Sequence, residues 1–116
     1  MIKKIIFVLA ICISSPSFSY SSGFDAGHFS ALMNSYHAAL SGHGNSSDEM
    51  NGAMYLGFIA GIAASFNGQK FCIPREVQLA NLANVTSEYV ANHPSVIGAE
   101  GGDIVFKSLS YKYPCH

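Results

Sequence analysis

The chain has 116 residues, 49% of them hydrophobic and 11% charged, with a formal net charge of −1. That length allows one small domain. With 6 basic residues against 7 acidic ones, and no basic run or stripe, the sequence lacks the electrostatic footprint of a nucleic-acid-binding protein.

The chain opens like an export signal. Met1-Ile2-Lys3-Lys4 is a basic start, Ile5 to Ile13 an apolar run, and Ser14-Ser15-Pro16-Ser17-Phe18-Ser19 a stretch of mostly small residues. Ser17 and Ser19 are the small pair that a signal peptidase reads, which predicts a signal peptide over 1–19 and cleavage before Tyr20. The competing reading is an uncleaved membrane anchor, but a spanning helix needs about 20 apolar residues and this run is shorter. Lipidation at Cys12 is opposed by bulky Ile11 where a small residue belongs, so Cys12 is expected to leave with the signal. The remaining domain, 20–116, loses Lys3 and Lys4, and its 4 basic residues face 7 acids, a net charge of −3.

From Ala26 to Leu40, Phe29, Leu32, Met33, Tyr36 and Leu40 fall at steps of three and four, one face of a helix with Asp25 as its cap. The polar, glycine-rich stretch Ser41 to Ser47 ends it. The second segment, Asp48 to Phe66, is apolar nearly all round, with Ser47 or Asp48 as cap. Its strip of small residues, Ala53, Gly57 and Gly61 with Ala60 and Ala64 adjoining, predicts close helix packing in a central core helix that extends toward a subunit interface. Glycine costs a helix about 1 kcal/mol against alanine, and close packing is the compensating gain. Asn67-Gly68 stops this helix.

Pro74 sits where a third helix can open, followed by Arg75-Glu76. Leu79, Leu82, Ala83, Thr86, Tyr89 and Val90 form its inward face. Asn81, Asn84 and Glu88 lie outward, and Asn92-His93-Pro94 closes it because Pro94 disfavours helical geometry at His93. The last segment, Ser95 to about Lys112, carries Ile104, Val105, Phe106 and Leu109. Gly98, Gly101 and Gly102 predict a loose or broken start. No repeat and no alternating strand pattern appears. The expected fold is all-α, a small four-helix bundle-like domain.

Cys72 and Cys115 remain after export, each beside a proline in Phe71-Cys72-Ile73-Pro74 and Tyr113-Pro114-Cys115-His116. An even pair in a small exported domain predicts a disulfide. Chain-entropy arithmetic for a loop of 42 intervening residues gives roughly 4 kcal/mol, a large part of a small domain's stability. If the third and fourth helices run antiparallel, the two backbones come within the roughly 7 Å that a bridge requires. A reactive Cys72 paired with a histidine is the alternative.

Catalytic chemistry finds no foothold in the spacing. His28, His37, His43, His93 and His116 form no tight ligand pair, and no metal site or cofactor is implied. No nucleophile–base–orienter set emerges. The carboxylates Glu88 and Glu100, or Asp48 and Glu49, have nothing tying them to a pocket. Asn45-Ser46-Ser47 and Asn84-Val85-Thr86 match the glycosylation pattern, which occurs often by chance. These observations favour a binding protein over an enzyme.

Four stretches in order carry a resemblance: Tyr55-Leu56-Gly57-Phe58-Ile59-Ala60-Gly61-Ile62, Phe71-Cys72-Ile73-Pro74, Glu88-Tyr89-Val90 with His93-Pro94, and Tyr113-Pro114-Cys115. Together, over roughly Met54 to Cys115, they resemble the Rap/Tai family of type VI secretion amidase immunity proteins. The resemblance implies a periplasmic protein of a Gram-negative bacterium, exported by the Sec route and absent from the membrane in its mature form. It implies a homodimer that occludes the active-site cleft of a papain-like (NlpC/P60-type) peptidoglycan amidase without catalysis of its own. Cys72 and Cys115 carry over as the structural disulfide, and Gly57 and Gly61 as helix-packing glycines. Many relatives hold a further cysteine pair where this chain has Tyr36 and Tyr55, and often an aspartate where it has Ala64.

A plug for an enzyme cleft needs a protruding turn with polar groups and an anchor. Two places qualify: the loop Gly42 to Asp48, and the turn Asn92-His93-Pro94-Ser95 with the adjoining face Asn81, Asn84 and Glu88. An acidic inhibitor also gains association rate against a basic cleft. The alternative function is a periplasmic chaperone or acid-stress protein of similar build.

Overall fold

The computed structural model describes residues 24–116; the expected signal peptide, its cleavage point and Cys12 lie outside the described residues. Four α-helices follow one another, α1 (Ala26–Leu40), α2 (Ser46–Phe66), α3 (Leu79–Asn92) and α4 (Gly101–Lys112), with a 3-10 turn, Pro94–Gly98, between the last two. Among the described residues there is no strand, only an isolated bridge between Asn67 and Phe71. The all-α expectation holds.

Local chemistry sets each start. Asp25 caps α1, its side chain accepting from the His28 N–H at 2.8 Å. α2 begins two residues ahead of expectation because Asn45, not Ser47 or Asp48, is its cap. The Asn45 side chain accepts from the Asp48 N–H at 2.9 Å, and the Asp48 carboxylate accepts from the Asn45 N–H at 3.1 Å. This reciprocal capping box satisfies two orphan donors at once.

α1 and α2 form an antiparallel hairpin. Phe29 meets Phe58 with ring centroids 5.8 Å apart, and Tyr36 meets Tyr55 at 5.2 Å. The two tyrosines expected in place of a second cysteine pair are thus brought together as a buried aromatic contact. Gly52 permits the approach, since a Cβ there would stand 3.1 Å from the Tyr36 Cα. The expected small-residue strip faces the other way. Ala53, Gly57, Gly61 and Ala64 are exposed, and a Cβ at Gly57 or Gly61 would meet nothing within 4 Å. Among the described residues, neither glycine makes a close helix contact. α2 is buried on one face only, through Gly52, Tyr55, Ile59 and Ala63.

α3 corrects the sequence reading. Pro74 does not open it. The Cys72 N–H donates to the Tyr113 carbonyl at 2.8 Å, the Ile73 N–H to Asn67 Oδ1 at 2.8 Å, and the Val77 N–H to the Pro74 carbonyl at 3.1 Å. These bonds hold residues 72–78 as a connector tied to the C-terminal tail, and the helix starts at Leu79. Leu79 is itself exposed rather than inward. The expected loose start of the last helix is a separate turn, Pro94–Gly98, followed by extended Ala99 and Glu100. Gly101 then begins α4 hard against α1, where a Cβ would come within 2.7 Å of the Phe29 ring.

All four helices feed one core: Phe29, Leu32 and Tyr36 of α1, Tyr55 and Ile59 of α2, Leu82, Ala83 and Val90 of α3, and Ile104, Val105 and Leu109 of α4, with Phe71 from the connector. The buried hydroxyls of Thr86 and Ser108 donate to carbonyls of their own helices, Leu82 at 3.0 Å and Ile104 at 2.6 Å.

Cys72 and Cys115 form the disulfide, with Cα atoms 4.9 Å apart. α3 and α4 pack together, with the Tyr111 ring centroid 5.7 Å from Tyr89 and 5.5 Å from His93. The bridge joins the connector to the tail, and the six residues between Cys72 and Leu79 span up to ~20 Å. The start of α3 is thereby freed from Cys115.

The two kinds of glycine on α2 predict opposite effects. Gly52→Val overpacks the α1 contact and lowers stability by about 1–3 kcal/mol. Gly57→Ala, which meets nothing within the single chain, raises the stability of the dilute, monomeric chain by up to about 1 kcal/mol through helix propensity. Thermal unfolding of both variants checks this; a destabilised Gly57→Ala or a neutral Gly52→Val contradicts it.

Candidate functional site

α3 carries two adjoining stripes. Leu82, Ala83, Thr86 and Val90 go into the core. Beside them, Val85, Glu88, Tyr89, Asn92 and His93 recur at three- and four-residue steps, which puts them on one face. Across a groove of about 390 Å³ they look toward Ser108, Tyr111 and Lys112 of α4. Ser108 lies at the bottom, and its hydroxyl is already given to Ile104.

Three rings shape the groove. Tyr89 and His93, one turn apart, stack with centroids 4.2 Å apart at 23°. Tyr111 leans against both, at 57° to Tyr89 and 72° to His93. It is 72% exposed. His93 Nδ1 lies 2.9 Å from the Tyr89 carbonyl. A carbonyl only accepts, so Nδ1 carries the proton and Nε2 of the neutral ring remains an acceptor.

Of the residues singled out for effector binding, Glu88, Asn92 and His93 come together here. Asn81 and Asn84 are exposed earlier on α3, and Ser95 is exposed in the 3-10 turn; none of the three lines the groove. Tyr89, Tyr111 and Lys112 escaped the sequence reading. Tyr89 fits the inward period of α3, and Tyr111 shows only its helical spacing from Ser108. The other candidate surface, Gly42 to Asp48, has two of its polar side chains committed to the cap of α2.

A second polar cluster ties three helices together. Tyr55, fully buried on α2, holds its hydroxyl 3.2 Å from the Ala83 carbonyl and 3.1 Å from Ser87 Oγ on α3. His37 Nε2 of α1 reaches the same Ser87 oxygen at 2.9 Å. A serine and histidine at bonding distance form the beginning of a nucleophilic pair, and residues 50 apart in sequence gave no sign of it. Here the Ser87 hydroxyl donates to Ala83 of its own helix at 3.0 Å, so the contact acts as a strut. Burial pushes the Tyr55 hydroxyl up to about 12; the Ser87 hydrogen bond offsets part of the rise and neighbouring Tyr36 adds to it.

Among the described residues no three His, Cys, Asp or Glu side chains gather as a metal site. Nor is any helix there long and apolar enough to cross a membrane. The described residues thus form a helical scaffold that presents an aromatic groove. The family model for Rap1a immunity proteins matches residues 20–115, and the chain belongs to that family. Membership implies a cognate effector as partner. Comparisons with curated proteins and with solved structures give no match.

Tyr55 makes stability depend on alkaline pH. Its folded value lies above the ordinary 10.0, so its contribution is whole below pH 10 and is lost as pH rises toward 12. Linkage puts the loss near pH 11 at about 1.4 kcal/mol. Urea midpoints between pH 9 and 11 should fall more steeply for the parent chain than for Tyr55→Phe; equal slopes contradict the assignment.

Proposed function

We propose that this protein is a periplasmic immunity protein that neutralises a peptidoglycan amidase delivered by type VI secretion, covering the active-site cleft of an NlpC/P60-like enzyme. It acts by binding and carries out no reaction. The family match over residues 20–115 supports this, beginning at the residue expected to follow signal cleavage. The single observation that carries the choice of surface is the groove, where Glu88, Asn92 and His93 converge with an exposed tyrosine. Tyrosine-rich, partly apolar sites with a polar rim are where binding energy concentrates.

In this reading the groove and the neighbouring Asn81, Asn84 and Ser95 form the effector-facing side. The outward strip of α2 serves a second copy of the chain. Its exposed Gly57 and Gly61, with Met50 and Met54 also exposed, make a face without charge that another α2 can approach closely. The disulfide is scaffold, holding the connector and tail in place.

The test is co-expression with a small NlpC/P60-like amidase encoded by a neighbouring gene, where one is found, followed by co-purification and a peptidoglycan hydrolysis assay. The parent chain should co-purify and block hydrolysis. Glu88→Lys, or a bulky change at His93, should weaken inhibition at least tenfold while leaving the helical circular dichroism spectrum intact. Full inhibition by both variants removes this face from the interface.

A further inference from the structure

We propose that the groove between α3 and α4 is a pocket for a single guanidinium side chain presented by the partner. This rests on the reading of the groove as the effector-facing site and names the chemistry that site takes. Three observations converge on a planar cation. The Glu88 carboxylate is the negative charge in the groove, and the Asn92 carboxamide oxygen and His93 Nε2, whose ring has committed its other nitrogen to the Tyr89 carbonyl, add acceptors beside it. The Ser108 hydroxyl, given to Ile104, supplies no donor from below. An anionic ligand would meet the Glu88 carboxylate, with Lys112 as the cation in the lining to offset it.

Tyr111 adds the second observation. Its ring is 72% exposed and set steeply against the Tyr89–His93 stack, leaving an aromatic surface free at the mouth of the groove. Aromatic faces attract cations through the ring quadrupole. A guanidinium both stacks on such a face and directs a fork of donors at a carboxylate, whereas an ammonium is a strongly hydrated point charge. Charge is the third: residues 20–116 carry a net −3, which draws basic surfaces toward this chain. Lys112 is the opposing element, the cation among the groove's lining residues. Its positive charge opposes a second cation, so it weakens the pairing of an incoming guanidinium with Glu88.

The probe is Nα-acetyl-arginine amide titrated into the isolated, isotope-labelled chain and followed by NMR, with the citrulline analogue and N-acetylglucosamine as comparisons. Citrulline keeps the plane and loses the charge; the sugar tests an aromatic saccharide platform instead. Arginine should give saturable shifts at the Tyr89, His93 and Tyr111 rings, with a Kd on the order of 1–10 mM. Citrulline and the sugar should bind at least tenfold more weakly. Glu88→Gln should weaken arginine binding about tenfold, and Lys112→Gln should tighten it, both with an unchanged amide fingerprint. No saturable shift with arginine, equal response to citrulline or to the sugar, or indifference to Glu88→Gln overturns the proposal. These measurements use no effector, so a failed pocket beside intact co-purification refutes only the guanidinium, while failed co-purification refutes the immunity reading itself.

Discussion

The fold depends on one buried residue more than on any other. Tyr55 places its ring between Phe29, at 5.6 Å, and Tyr36, at 5.2 Å, and its hydroxyl on α3 beside Ala83 and Ser87. A tyrosine can be buried so deeply only if its hydroxyl finds a partner, because an unpaired one costs several kcal/mol in an apolar interior. Satisfying that hydroxyl fixes how far along α2 the third helix must sit. His37 reaching Ser87 from α1 completes the constraint. Three helices are thereby registered around a single side chain.

The groove follows from that registration. With Ala83 and Ser87 held against Tyr55, the next stripe of α3 turns toward solvent, and α4 supplies the opposite wall. α4 is positioned from both ends. Gly101 fits against Phe29 and donates its N–H to the Phe24 carbonyl at 2.8 Å. Phe106, in the middle of α4, meets Phe66 at 5.7 Å and Phe71 at 5.9 Å. The disulfide and the Cys72-to-Tyr113 backbone bond then secure the tail beyond it. A site built between two helices so fixed is largely formed before its partner arrives, and preorganisation of that kind lowers the entropic cost of association.

What the sequence disclosed tracks which forces are local. The cap at Asp25, the stop at Asn67-Gly68 and the break before Pro94 are set by neighbours in the chain, and they were legible. The α3 start was not, because the bonds that hold residues 72–78 away from a helix come from Asn67 and Tyr113. α2 misled for a different reason. A helix apolar nearly all round has no period to say which side goes inward, so Gly52, the α2 glycine that packs against α1, passed unnoticed beside Gly57 and Gly61, which are exposed in the single chain. Half of the site was visible as the polar face Glu88, Asn92 and His93. Its other half, Tyr111 and Lys112, is joined to it only by the way α3 and α4 cross, a tertiary fact with no local trace.

The central claim is that this crossing makes the surface that meets the effector. Hydroxyl-radical footprinting of the chain, alone and bound to its cognate effector, tests it most directly. Tyr111 and His93 on the groove, and Met50, Met54 and His43 elsewhere, are all readily oxidised reporters. The account predicts that Tyr111 and His93 lose reactivity on binding while Met50, Met54 and His43 keep theirs. Protection of Met50, Met54 or His43 with Tyr111 unchanged would contradict it.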